Sequence, residues 1–158
     1  TVPSIHLIMT NGTAIRDADI FYIDETTTGW DNGYDSSIFG GITNEFAIYT
    51  HAVADGNGRN LGIQSLPDNN YENMIIPVGG NAVSGTTITI DAATNNFPEA
   101  INIYLEDKLD NSFTLLDADA NFSTVLENNL SGIGRFYLHT TSNTLSTNDL
   151  EISNNVSI

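Results

Sequence analysis

The sequence predicts an all-β domain, an antiparallel β-sandwich of jelly-roll type with about nine or ten short strands. Three observations carry this. Apolar residues recur with period two along most of the chain, as half-buried strands require. The runs are short and separated by turn residues, including 13 Gly and abundant Asn, Asp, Ser and Thr. No segment sustains a helical period, and the best helical candidate is one turn at residues 97–100.

The strands follow in order. Ile5, Leu7 and Met9 alternate with His6 and Ile8, and a second run covers residues 20–23. Phe46, Ile48 and Thr50 alternate with Ala47 and Tyr49; Leu61, Ile63 and Ser65 follow a Gly-Asn turn. Residues 74–78 are apolar but contain Pro77, which has no ladder donor and so indicates an edge strand or a bulge. Residues 86–90 are rich in β-branched side chains. Ile101, Ile103 and Leu105 alternate with Asn102, Tyr104 and Glu106. Residues 113–116 and then Phe122, Thr124 and Leu126 flank a polar turn containing Asp117 and Asp119. Phe136 and Leu138 alternate with Arg135, Tyr137 and His139. Residues 1–140 form a single domain. Residues 141–158, rich in Ser, Thr and Asn, read as a linker with one short strand near Leu150 to Ile152.

Composition narrows the partners. A chain of 158 residues buries roughly 70% of its unfolded surface and folds without staples. Cysteine is absent, which removes disulfides and thiol chemistry. Four Lys and Arg stand against 20 acidic residues, a formal net charge of −16. Nucleic acid and anionic membrane surfaces are disfavoured, because phosphate binding needs basic side chains and Arg16, Arg59, Lys108 and Arg135 are dispersed. No apolar run is long enough for a membrane span of about 20 residues. Thr1 does not resemble a natural start, so the chain reads as a module excised from a longer protein.

Two constellations carry candidate chemistry. Asp31, Asn32 and Asp35 crowd around Gly33, an oxygen-rich loop of the kind that suits a structural calcium ion. The same residues also suit an Asx turn bonded to its own backbone. Trp30 and Tyr34 in that loop, with Asn70 and Tyr71 in another, could stack on and hydrogen-bond a sugar. Trp30 can equally fold back as a core plug. Asp19 and Asp24 read as the solvated ends of the strand at residues 20–23, with Asp17 in the preceding loop. Residues 117–121 echo half of an EF-hand loop, but Phe122 and Asn128 stand where Gly and Glu are needed, so the turn reads as a hairpin. His6, His51 and His139 lack metal-ligand spacing, and no nucleophile elbow or phosphate loop is present, so an enzyme is not expected.

Several motifs recur in one order. They are Trp30 to Ile38, the L-x-I-x-x-L-P pattern from Leu61 to Pro67, Ile76 to Gly79, Ile103 to Lys108, residues 113–116, Phe122 with Ser123, and Arg135 to His139. Together they resemble a β-sandwich domain found immediately upstream of the type IX secretion sorting domain in secreted Bacteroidetes (flavobacterial) proteins. The resemblance covers residues 19–158, and residues 154–158 resemble the approach to that sorting domain. It implies a secreted or cell-surface location, export by the type IX system, and a non-catalytic accessory module beside the other domains of a parent protein. The resemblance names no ligand; polysaccharide is the expected ligand class from the loop aromatics Trp30, Tyr34 and Tyr71 beside Asn and Asp side chains. The alternative is a structural spacer or adhesin-type module that links the preceding domain to the sorting tail.

Overall fold

The computed structural model describes residues 2–37, 45–54 and 58–145. Among these lie eleven strands: β1 Ser4–Thr10, β2 Ile15–Tyr22, β3 Ser36–Ser37, β4 Ala47–Thr50, β5 Leu61–Leu66, β6 Met74–Ala82, β7 Thr87–Asn95, β8 Asn102–Asp107, β9 Ser112–Leu115, β10 Phe122–Val125 and β11 Leu130–Thr141. They form one sheet in the order β10-β7-β1-β2-β5-β4-β6-β11-β8-β9, with β3 paired to β5 beside this path. The sheet curls over itself into a nearly closed, sandwich-like barrel, so the all-β expectation holds. It is not wholly antiparallel, because β2 and β5 run parallel, with Ile20 beside Gln64 and Tyr22 beside Leu66. No helix forms at residues 97–100; a turn closed by the Ile101 N–H on the Pro98 carbonyl takes its place.

Alternation places the core. Ile5, Leu7 and Met9 on β1 are fully buried and lie between Ile20 and Ala18 of β2 and Ala92 and Ile90 of β7. Their neighbours His6 and Ile8 face outward. β2 starts five residues earlier than the apolar run suggests. Asp17 and Asp19 therefore sit within the strand, on its outer face opposite Ile8 and His6, and not at its end. Lining up with His6 explains the extension: its Nδ1 lies 2.6 Å from Asp19 Oδ1.

Two strands break simple patterning. β6 lies inside the sheet between β4 and β11, so Pro77 does not mark an edge. Its missing donor falls just beyond the last β4 pair, Thr50 with Val78, where the His51 N–H still donates to the Pro77 carbonyl at 3.0 Å. The bulge lies on the partner strand, where Gly132 to Phe136 of β11 spans only Gly80 to Val78 of β6. Gly132 and Gly134 absorb it with φ of 84° and 120°. Arg135 projects from the bulge and grips buried Asp107 with two parallel bonds of 3.0 Å, a strong charge-assisted geometry. On β5, Ile63 is exposed and Gln64 faces inward, the reverse of the expected face. The loop before β3 covers the outer side of β5, so Ser65 is buried as well.

One end of the barrel is closed by aromatic rings. Tyr22 at the end of β2 packs on Tyr71 with centroids 4.6 Å apart, and Phe97 meets both at 5.5 Å. The Tyr22 N–H donates to the Pro3 carbonyl, and the Thr140 hydroxyl donates to the Tyr71 carbonyl at 2.7 Å. Glu72 accepts the Ser142 N–H at 3.0 and 3.1 Å. Both ends of the barrel's chain, entering β1 and leaving β11, are thus fixed at the same aromatic end. β11 runs to Thr141, one residue into the stretch expected to be linker, and Thr141 is buried. The strand expected near Leu150 lies outside the described residues.

Burial raises the Tyr22 hydroxyl far above the ordinary phenol range; the Tyr71 hydroxyl adds to this and Thr140 opposes it. Tyr71 is partly buried against the core, so truncating it to Ala should cost about 2–3 kcal/mol of stability, less than a fully buried aromatic. Chemical denaturation measures this, and a loss below about 1 kcal/mol would contradict the closing role. Gln64 is the opposite case. It is fully buried, and neither amide atom has a hydrogen-bond partner among the described residues. An unsatisfied buried polar group costs about 1–3 kcal/mol, so the near-isosteric Gln64→Met should raise the unfolding free energy. A fall would show that the amide is bonded inside the barrel.

Candidate functional site

The expected calcium and aromatic loop joins β2 to β3 and is built by its own hydrogen bonds. Gly33 adopts φ 85°, which lets the chain reverse. The Asp31 carbonyl accepts the N–H groups of Tyr34 at 3.1 Å and Asp35 at 2.9 Å. Its carboxylate accepts the Thr27 N–H at 2.8 Å and the Thr27 hydroxyl at 2.9 Å. Asp35, buried against β5, accepts the Asp31 N–H at 2.8 Å and the Ser65 N–H at 2.6 Å, one on each oxygen. Burial raises its carboxyl above the ordinary value, these two N–H groups pull it down, and the Asp31 charge pushes it up.

The aromatic side of the loop is clamped. The Trp30 indole N–H donates to Asn32 Oδ1 at 2.7 Å, and the Arg59 guanidinium lies 4.1 Å from the centre of a Trp30 ring. One indole face is therefore taken by a cation–π contact. Trp30 is half-buried, and Tyr34 beside it is 45% exposed.

Calcium needs six to eight oxygens converging at about 2.3–2.6 Å; here Asp31, Asn32 and Asp35 each direct side-chain oxygens at N–H and O–H donors of the loop or of β5. Among the described residues no group of three or more His, Asp or Glu side chains is arranged to hold a metal. The arrangement matches an Asx-type turn that anchors the loop to β5.

Tyr71 and Asn70 belong elsewhere. Tyr71 is committed to the ring cluster with Tyr22 and Phe97, and burial, followed by the Asp68 charge, raises its hydroxyl above the ordinary phenol value. Asn70 is exposed in the preceding loop. Trp30, Asn32 and Tyr34 share one loop; Tyr71 is held in the ring cluster, Asn70 is exposed beside it in sequence, and none of the clefts described below is lined by any of the five. The histidines are similarly absorbed in local pairs: His139 Nε2 lies 2.8 Å from Glu106 and His51 Nε2 lies 2.7 Å from Asn60.

The clefts are elsewhere on the surface. A cavity of about 500 Å³ runs between β7 and the β8–β9 pair, with Asp91, Thr94, Phe97, Glu99, Asn102 and Asp117 among its walls. A second, of about 340 Å³, lies on the outer face near Ile15, Asp19, Ser37 and Ile63. Sequence reading missed both clefts, since strands distant in the chain build them. Asp107 and Arg135 carried a usable signal: Asp107 continues the inward period of Ile103 and Leu105, which demands a buried partner.

The fold and these sites define an all-β domain with a self-bonded acidic loop, a clamped indole and an open acidic cleft. In comparisons with known proteins, no protein-family model, curated protein or solved structure matches the chain.

Asp35→Ala leaves two N–H groups without acceptors and should cost about 3 kcal/mol in chemical denaturation at neutral pH. Asp35 has its carboxyl raised in the folded protein, so its own contribution declines as pH rises from the ordinary carboxylate value through the folded one. The Ala variant should lack that slope; an unchanged slope assigns it to other carboxylates. Thermal melts with and without EDTA should coincide, because a folded-state calcium ion would raise the melting temperature. A drop with EDTA, reversed by calcium, would restore the metal reading.

Proposed function

We propose that the chain is a non-catalytic extracellular accessory module of a larger exported protein, hung from that protein as a pendant, with carbohydrate as its ligand class. The export and accessory parts rest on the ordered sequence resemblance. The observation that supports a pendant is that Pro3 and Thr140 are both tied to the Tyr22–Tyr71 pair. A module whose chain enters and leaves at one end presents its opposite end, and its flanks, to the surroundings. An in-line spacer would instead separate its two ends, so the spacer reading is less well supported than an adhesin-type one.

For carbohydrate, the supporting feature is the exposed Tyr34 in the same loop as the half-buried Trp30, with the Arg59 guanidinium stacked over the indole. An aromatic surface edged by hydrogen-bond donors suits sugar rings. The charge of −16 favours neutral or cationic polysaccharides over acidic ones.

Affinity electrophoresis in gels containing neutral polysaccharides tests this. Retardation should weaken about five- to tenfold in Tyr34→Ala and Trp30→Ala, in line with one lost aromatic contact. Tyr71→Ala should lose stability first and leave affinity at permissive temperature near that of the parent. No retardation on any glycan would sink the carbohydrate part and leave the pendant module standing.

A further inference from the structure

The barrel does not close completely, and the seam has a specific form. β10 pairs with β7 only from Thr87 to Ile90. From Asp91 to Asn95, the described pairing of β7 is with β1 alone. β9, at the other end of the sheet, is paired with β8 only. The cleft of about 500 Å³ lies between these two incomplete edges. Its floor includes the core residues Ala92, Ile103 and Leu116.

The open stretch of β7 is capped from within. The Ala92 N–H donates to Asp91 Oδ1 at 2.8 Å, so a side chain of the same strand occupies a main-chain donor. A carboxylate on an open edge discourages pairing with like-charged copies of the chain. Asp91, Glu99 and Asp117 border the cleft, and no Lys, Arg or His is among its walls. Five residues of open edge extend roughly 17 Å at about 3.3 Å each, the length of an ordinary short strand.

We propose that this seam takes an extended, cationic peptide segment that adds as a strand beside β7. Its carbonyl replaces the Asp91 carboxylate on the Ala92 N–H. Its Lys or Arg side chains meet Asp91, Glu99 and Asp117, and its apolar side chains sit over Ala92 and Leu116. Main-chain bonds supply affinity, and alternate side chains supply specificity, as in other strand additions. The site is separate from the Trp30–Tyr34 surface and does not depend on it.

The test uses capped pentapeptides of alternating Lys and Val, their Glu–Val counterparts and spermine, with amide NMR titration of the full chain. The Lys–Val peptide should shift amides of residues 91–95 and 112–118. Its affinity should fall about tenfold or more between low and high salt, as exposed charge pairs are screened. The Glu–Val peptide should not bind. Asp91→Asn with Asp117→Asn keeps an oxygen acceptor at each position and should weaken Lys–Val binding about tenfold, with an unchanged melting curve excluding a folding defect. Shifts scattered over the acidic surface, or spermine reproducing the peptide's pattern, would overturn the proposal. So would a neutral oligosaccharide that displaces the peptide from the cleft, since that identifies the seam as a sugar site.

Discussion

The stacking of Tyr22, Tyr71 and Phe97 is the contact on which the arrangement of this molecule depends. Each ring comes from a different segment: the end of β2, the loop before β6 and the loop before β8. A sheet that curls over itself leaves its end open unless side chains fill it. Large rings bury much apolar area with few torsions to freeze, which makes them efficient plugs. Main-chain bonds from Tyr22 to Pro3 and from Thr140 to Tyr71 then attach the first and last long strands to the plug. Packing at one end therefore sets where the chain enters and leaves, and this orients whatever surface the protein uses.

The rest of the barrel shows how irregular elements are compensated. The bulge in β11 would leave an Arg against the core, and buried Asp107 accepts it in a two-pronged pair. Removing either partner would leave the other charge or its bonds unsatisfied, so the two residues act as one unit. Gly79 in β6 has the Tyr49 ring directly over its backbone, leaving no room for a side chain. Pro77 two residues earlier sits where β4 runs out and no donor is needed. Gln64 is not compensated: its amide, like the Tyr22 hydroxyl and Thr50 Oγ1, is buried with no hydrogen-bond partner among the described residues, and the structure offers no physical account of why glutamine stands there.

Much of the fold was legible because half-buried strands alternate. β1, β7 and the part of β11 after its bulge follow period two and their inward residues match the core, whereas in β8 Tyr104 is buried along with its neighbours Ile103 and Leu105. β5 misled because Gln64 faces inward while Asp35 of the loop before β3 covers Ser65, so Gln64, Ser65 and Leu66 are buried in succession, Ile63 is exposed, and burial does not track the pattern. Pro77 misled because proline excludes a donor only on one side at one position. The residues 30–35 were legible as either a metal loop or a self-bonded turn; two of the donors that meet Asp31 and Asp35, Thr27 and Ser65, lie outside the motif itself. Arg59 could not be paired with Trp30 from sequence, since the clamp depends on how the chain returns after β4. The seam cleft was invisible for the same reason, being defined by where β10 stops pairing with β7.

Because the protein contains no cysteine, labels can be placed singly and without background. Pulsed electron spin resonance on the doubly labelled Val2→Cys, Ser142→Cys protein reports the distance between the chain's entry and exit. A domain of this length has a radius of gyration of about 15 Å, so opposite ends stand roughly 35–40 Å apart. Closure by the aromatic cluster predicts a narrow distribution below about 25 Å. A distribution centred beyond about 35 Å would place the two ends at opposite poles and contradict the account.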